Sequence, residues 1–287
     1  MALDLLYHYT TEPPRCEYVI PGMMPGTVGS LVSPGGSGKS FWALQLAHQV
    51  ACGKNLLGFP DDTWVKGGRV AYLSVEDSTA VLWERLYSLG ARLSPEERDM
   101  CAERIVLEDL TPHNPDLSDG IWRAAIERLA KDMTLVILDT LRMFHSKDEN
   151  SSEHMSVIMG ILRAIAAKTG ASILYLHHSN KNLPLTGNGD LQQASRGSSV
   201  LTDNIRWQGF VLGMSKEEAA KLSDNGRTVI GDRRGLFARF GISKQNYGPP
   251  IPERWYRRTE GGVLVPVELV ETQKKGNGGE VVHAFTG

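Results

Sequence analysis

Ser33-Pro34-Gly35-Gly36-Ser37-Gly38-Lys39-Ser40 is the stretch that decides how this chain is read. A compact apolar run, Thr27 to Val32, leads into it with the character of a β-strand. From Lys39 onward, apolar positions such as Phe41, Leu44 and Ala47 recur as on a helix that lasts to about Cys52, with Gly53 as its stop. Strand, glycine-rich turn and helix, in that order, are the context a Walker A phosphate loop requires. The glycines let the backbone wrap until successive N–H groups face an anion, and the helix N-terminus adds its positive end. Pro34, Gly35, Gly36, Ser37, Gly38, Lys39 and Ser40 are therefore the candidate nucleotide-binding residues. Lys39 would reach the β- and γ-phosphates, and the Ser40 hydroxyl would ligate Mg²⁺. The usual pattern opens with glycine where Ser33 stands, but the GGxGKS part is intact. Asn180-Lys181-Asn182-Leu183 lacks the acidic residue that would read guanine, so ATP is the expected nucleotide.

Working outward, strand-like and helix-like segments alternate. Arg69–Val75 reads as a strand, residues 80–89 as a helix closed by Gly90, and Ser94-Pro95-Glu96-Glu97 as the capped start of another. Residues 105–107 read as a short strand and 119–131 as a helix. Thr134–Leu138 is a near-continuous apolar strand of the kind covered on both faces, residues 154–168 are helical, and Ala171–Leu176 is a second buried strand. This alternation predicts an α/β fold with a mainly parallel central sheet flanked by helices. Residues 207–214, 236–244 and 255–270 also read as strands, with a short helix near 216–222, and the C-terminal strands are expected to be antiparallel. Residues 180–199 break the pattern, being rich in glycine and hydroxyl side chains. The chain reads as a single domain over 1–271, with residues 1–26 as an arm on the surface and 272–287 as a flexible tail.

Composition narrows the classes. The 287 residues are about as many as one hydrophobic core serves, and 31 basic against 33 acidic residues leave no strongly basic nucleic-acid binder. Charge is uneven, however: residues 94–132 carry ten acids and five bases, whereas residues 227–258 carry eight bases and two acids. Complementary faces meeting between subunits are the sharper reading of that asymmetry. Cys16, Cys52 and Cys101 are odd in number and form no CxxC, so neither a disulfide framework nor a zinc site is expected. No run approaches the roughly 18 apolar residues of a membrane span, and no signal peptide is read, so a cytoplasmic protein without a membrane partner is expected.

Three residues stand where strands end. Asp139 follows the run Leu135-Val136-Ile137-Leu138, the Walker B arrangement in which a carboxylate holds the Mg²⁺ shell. Glu76 ends the strand after the loop helix and can deprotonate an attacking water, with Asp77 as its neighbouring rival. His178 ends the strand after the one bearing Asp139 and can sense the γ-phosphate.

Taken together, SPGGSGKS, YLSVED, LVILDTLRMFH, LHHSNK, ASRGSSVLTDNIRWQ and RFGISKQNYG make the chain resemble the RepA family of plasmid-encoded hexameric replicative helicases, within the RecA/DnaB-like P-loop ATPases. The resemblance covers roughly residues 16 to 265. It implies a RecA-like core, a homohexameric ring, ATP at subunit interfaces and single-stranded DNA in the channel. By the same resemblance Lys39, Glu76 and His178 are catalytic, Ser40 and Asp139 hold the metal, and Arg206 reaches into a neighbour's site as an arginine finger. Arg85 matches another functional arginine. Lys244 matches the first of a basic pair in DnaB-type relatives, although Asn246 stands where they have arginine. Arg254, Arg257 and Arg258 are rivals for an interface role. Lys181 and Arg196, in the loop after His178, are the DNA-binding candidates, since loops at that position face the channel in RecA-like rings. Replication initiator and primase proteins are implied partners.

The leading expectation is a motor that hydrolyses ATP to move on single-stranded DNA and unwind duplex. A RecA-like ATPase that unwinds nothing is the alternative within the same chemistry. An ATP-regulated DNA-binding replication-control protein is the alternative of another class, and the presence of both Glu76 and Asp139 argues against it.

Overall fold

The apolar runs that end in chemically useful residues become neighbouring strands of one sheet. The structure, a computed structural model, describes residues 3–14, 16–179 and 200–272. Strands β1 (Val28–Ser33), β2 (Val70–Ser74), β3 (Ile105–Asp109), β4 (Leu135–Asp139), β5 (Ser172–His178) and β6 (Trp207–Gly213) run parallel in the order β6-β1-β5-β4-β2-β3. Beyond β6 the sheet turns antiparallel through β8 (Phe237–Gln245), β9 (Arg254–Arg258) and β10 (Leu264–Val267). A two-stranded ribbon, β7 (Leu222–Ser223) with β11 (Val270–Glu271), lies apart. Helix α1 (Leu5–Thr10) precedes the first strand, and helices α2 (Lys39–Cys52), α3 (Thr79–Gly90), α4 (Pro95–Arg104), α5 (Gly120–Ala130) and α6 (Ser152–Thr169) fill the connections. The expected fold class therefore holds, and so do the positions of its main elements.

Period-two alternation sorts each central strand between two cores. Leu135 and Ile137 of β4 join Leu31, Leu174 and α2 on one face, while Val136 and Leu138 join α5 and α6 on the other. Helix α2 is buried along nearly its whole length. It lies beneath the sheet and is also covered by Leu57, Phe59 and Trp64, and Trp42 stacks on Phe240 of β8 with ring centroids 4.4 Å apart. Burial on every side accounts for its weak amphipathic pattern. Its polar residues act as struts: Gln45 donates to the Leu264 carbonyl at 2.9 Å and accepts from the Leu264 N–H at 2.8 Å.

One reading changes. The N-terminal segment is not wholly a surface arm: Leu5–Thr10 forms an exposed helix, but Val19, Ile20 and Met23 have no exposure and belong to the α2-side core. Their apolar signal was too short to compete with the four prolines around it. Cys52 and Cys101, far apart in sequence, pack together where α2 meets α4, with both thiols free. Among the described residues no helix is long and apolar enough to cross a membrane.

Candidate nucleotide site

In an open parallel sheet, ligands collect beyond the carboxyl ends of the strands. Here β1, β5, β4 and β2 are consecutive neighbours, with Ser33 opposite His178 and Ser74 opposite Asp139. That register lines up the phosphate loop, His178, Asp139 and Glu76 along one sheet edge, above a cleft of about 510 Å³.

The loop is built to face an anion. Gly36 and Gly38 adopt φ of 78° and 99°, which side chains disfavour. A Cβ at Gly35 or Gly36 would meet nothing within 4 Å, so this backbone borders open space. Helix α2 starts at Lys39 with no side-chain cap and no acidic residue in its first turn, leaving its positive end available. Lys39 is 5% exposed and, among the described residues, its ammonium has no hydrogen-bond partner. Burial lowers its pKa, opposed by the charges of Asp139, Glu76 and Asp77. A buried, unpartnered cation costs free energy unless an anion completes it, so the chain's own residues fit a polyphosphate.

Asp139 is fully buried, and burial raises its pKa against the pull of Lys39. One carboxylate oxygen accepts from the Ser40 hydroxyl at 3.2 Å and the other from the Tyr72 hydroxyl at 2.6 Å. Burial, then the Asp139 charge, pushes the Tyr72 phenol well up, so it remains a donor. The pairing of Ser40 with Asp139 fits a hard cation that takes oxygen ligands. Glu76 is more open: its Oε1 accepts from the Thr140 hydroxyl at 2.7 Å and lies 3.4 Å from His178 Nε2. Asp77 is occupied by Arg85, which donates to both its oxygens at 2.5 and 2.9 Å. With both its oxygens spent on a guanidinium, Asp77 is less free than Glu76 to accept a proton.

Residues 3–183 match the family model described as an AAA domain. The chain belongs to the AAA domain family. Among solved structures, a KaiC-like protein, PH0186, from the hyperthermophilic archaeon Pyrococcus horikoshii OT3 is similar at 15% identity with a TM-score of 0.58, covering 88% of this chain and 99% of that one. The RadB recombinase is similar at 17% identity with a TM-score of 0.47, covering 83% and 90%. The likeness to the KaiC-like protein shows a shared RecA-like fold.

In this AAA domain the remaining candidates separate in space. Arg85 lines the cleft. Arg206 is exposed just before β6, whose first residue pairs with Gly29 near the start of β1, so it lies at the opposite end of the strands from its own loop. Lys244 donates to the Thr202 carbonyl at 2.7 Å and has its pKa lowered by burial, so its ammonium is engaged within the fold. Arg254 lies against Gly58, away from the cleft. Lys181 and Arg196 fall outside the described residues. Two buried residues that hold the site carboxylates escaped the sequence reading, Tyr72 and Thr140, while Arg258, read as a rival for an interface role, lines the cleft of its own chain. A tyrosine inside a strand looks like ordinary core, and no local pattern carries β9 to the phosphate loop. Thr140, directly after Asp139, was the legible one.

Proposed function

We propose that this AAA-domain protein is a replicative DNA helicase: a homohexameric ring that hydrolyses ATP with Mg²⁺ at subunit interfaces, moves along single-stranded DNA and opens the duplex. The observation that carries the reading is the Glu76 carboxylate, held by Thr140 and 3.4 Å from His178. The group placed to activate water is thus joined to the residue from which the chain enters segment 180–199.

Lys39 neutralises charge on the terminal phosphates, and the loop amides with the α2 N-terminus hold them in line. Ser40 and Asp139 would hold magnesium, whose chemistry is to draw charge from the β- and γ-oxygens. Glu76 accepts the proton of the attacking water as the bond to the leaving phosphate oxygen breaks. Thr140 fixes the Glu76 rotamer. His178 feels the loss of the anion through Glu76 and passes it to the following segment, where Lys181 and Arg196 track the DNA backbone. Arg206, exposed and remote from its own loop, serves the neighbouring subunit. Such a motor works in the cytoplasm with initiator and primase proteins as partners.

The test is steady-state ATP hydrolysis with and without single-stranded DNA, beside unwinding of a forked duplex. DNA should stimulate the wild type, Lys39→Ala should abolish turnover, and Glu76→Gln should reduce it by about 10²–10⁴-fold while nucleotide still binds. Hydrolysis indifferent to DNA, with no unwinding, would leave an ATPase that moves nothing.

A further inference from the structure

We infer that Arg258 binds the nucleotide in cis, gripping the α/β-phosphate end on the same subunit whose loop it overhangs. This rests on the ATP reading above and adds a binding residue to it. Arg258 ends β9 and lines the cleft with Lys39. Its Nη2 lies 2.9 Å from where a Cβ of Gly38 would be, so the guanidinium occupies the space that a side chain there would need.

Its charge is uncommitted. Arg233 pairs with Asp224, Arg239 with Glu218 and Glu253, and Arg257 approaches Asp224 at 3.9 Å. Among the described residues Arg258 has no such carboxylate, although it sits on the same run of sequence. An unpaired guanidinium beside an unpartnered ammonium forms a two-cation clamp suited to bidentate phosphate recognition.

Its placement is fixed to the loop helix rather than to a mobile tip. Arg258 pairs across the hairpin with Leu264, and Leu264 is bound through both backbone groups by Gln45 of α2. Two residues earlier, buried Tyr256 donates to the Leu57 carbonyl at 2.9 Å. At the turn, a Cβ at Gly262 would lie 3.2 Å from the Phe41 ring, one residue past Ser40. In the sheet, β9 lies on one side of β1, whereas β4 and β2, which bring Asp139 and Glu76, lie on the other. Within the loop Arg258 lies against Gly38, just before Lys39, so its contribution falls on binding.

ADP isolates that contribution because it lacks the γ-phosphate. In calorimetric titrations of the full chain with Mg-ADP, Arg258→Ala should weaken binding about 10- to 100-fold. Arg258→Lys should recover part of the loss. Affinity within about twofold of wild type in a variant that melts normally would overturn the proposal. Mixing Arg258→Ala with Lys39→Ala chains, assayed at ATP far below the wild-type KM so that both unmixed variants are slow, separates cis from trans action. With Arg258 in cis no site in the mixture is complete and ATPase stays at the level of the unmixed variants, whereas recovered activity would overturn the cis assignment. If the wild type itself binds no ADP, or Lys39→Ala binds it equally well, the ATP reading falls and this one with it.

Discussion

Asp139 has to remain a carboxylate in a place where burial favours its protonated form, and it has to hold one orientation while doing so. Lys39 supplies the opposing charge, and Tyr72 fixes the orientation by taking the oxygen that Ser40 does not. Tyr72→Phe keeps the packing and removes only the hydroxyl. A buried carboxylate oxygen then loses its donor, at a cost of about 1–3 kcal/mol in stability. Because the residue acts through Asp139, the sharper readout is metal dependence. The Mg²⁺ concentration giving half-maximal ATP hydrolysis should rise about 10- to 100-fold, as when the partner of a metal ligand is removed, with turnover at saturating Mg²⁺ much less affected. An unchanged magnesium curve with a lowered melting temperature would reduce Tyr72 to a core residue. A strand tyrosine announces none of this. The placement of Lys39, Ser40 and Asp139 was legible because it follows from local order, strand then loop or strand then carboxylate, whereas Tyr72 meets Asp139 only when β2 is laid beside β4.

The hairpin of β9 and β10 shows the same limit for whole segments. Alternating apolar residues marked strands between 255 and 270, but nothing local says that they pack on α2 or that Arg258 ends above Gly38. Gln45 looks like a polar interruption of a helix face and is in fact the hairpin's buried tether. Gln45→Met, similar in volume, leaves an N–H and a carbonyl of Leu264 without partners. It should destabilise the fold by about 2–4 kcal/mol in urea unfolding, far more than a surface substitution. A second anchor lies nearby: Asp224 accepts from Arg233 at 2.9 and 3.0 Å, and this pairing lowers the Asp224 pKa. A carboxylate whose folded pKa is depressed stabilises the fold above its ordinary pKa and loses that effect as pH falls through the folded value. Asp224→Asn should thus melt about 1–3 °C below wild type at pH 7. The two melting curves should converge as pH drops from about 5 toward 2, and a gap that stays constant across that range would exclude the ion pair as its source. The alternation of strands and helices was readable from end to end because each run is long and periodic. The arm at Val19–Met23 was not, because three core residues among prolines carry no period.

Assembly of the whole molecule has to be argued from what one chain leaves unused. The basic stretch 227–258 is less available than its eight cations suggest, since Arg233, Arg239 and Arg257 pair with carboxylates of the same chain. Complementary charge between subunits therefore has fewer groups to draw on, and a ring should hold its mass in high salt. Arg206 is different. It is exposed, and β6 places it about 15 Å or more from its own loop, counting some five residues of strand. A guanidinium at that distance cannot touch the nucleotide of its own subunit, but across a ring interface it can neutralise charge developing on the phosphoryl group next door. Arg206→Ala should then bind ATP and ADP within about twofold of wild type, keep its oligomeric mass and lose about 10³-fold or more in turnover. The decisive measurement is again a mixture. An Arg206→Ala subunit has an intact Lys39, and a Lys39→Ala neighbour still offers Arg206, so mixed rings contain complete sites and ATPase should reappear on mixing two inactive proteins. The Arg258→Ala mixture should show no such recovery. Opposite outcomes from the two mixtures, made and assayed identically, would assign one arginine to each side of the interface. Recovery in neither would return Arg206 to the ordinary surface and leave hydrolysis to the residues of a single chain.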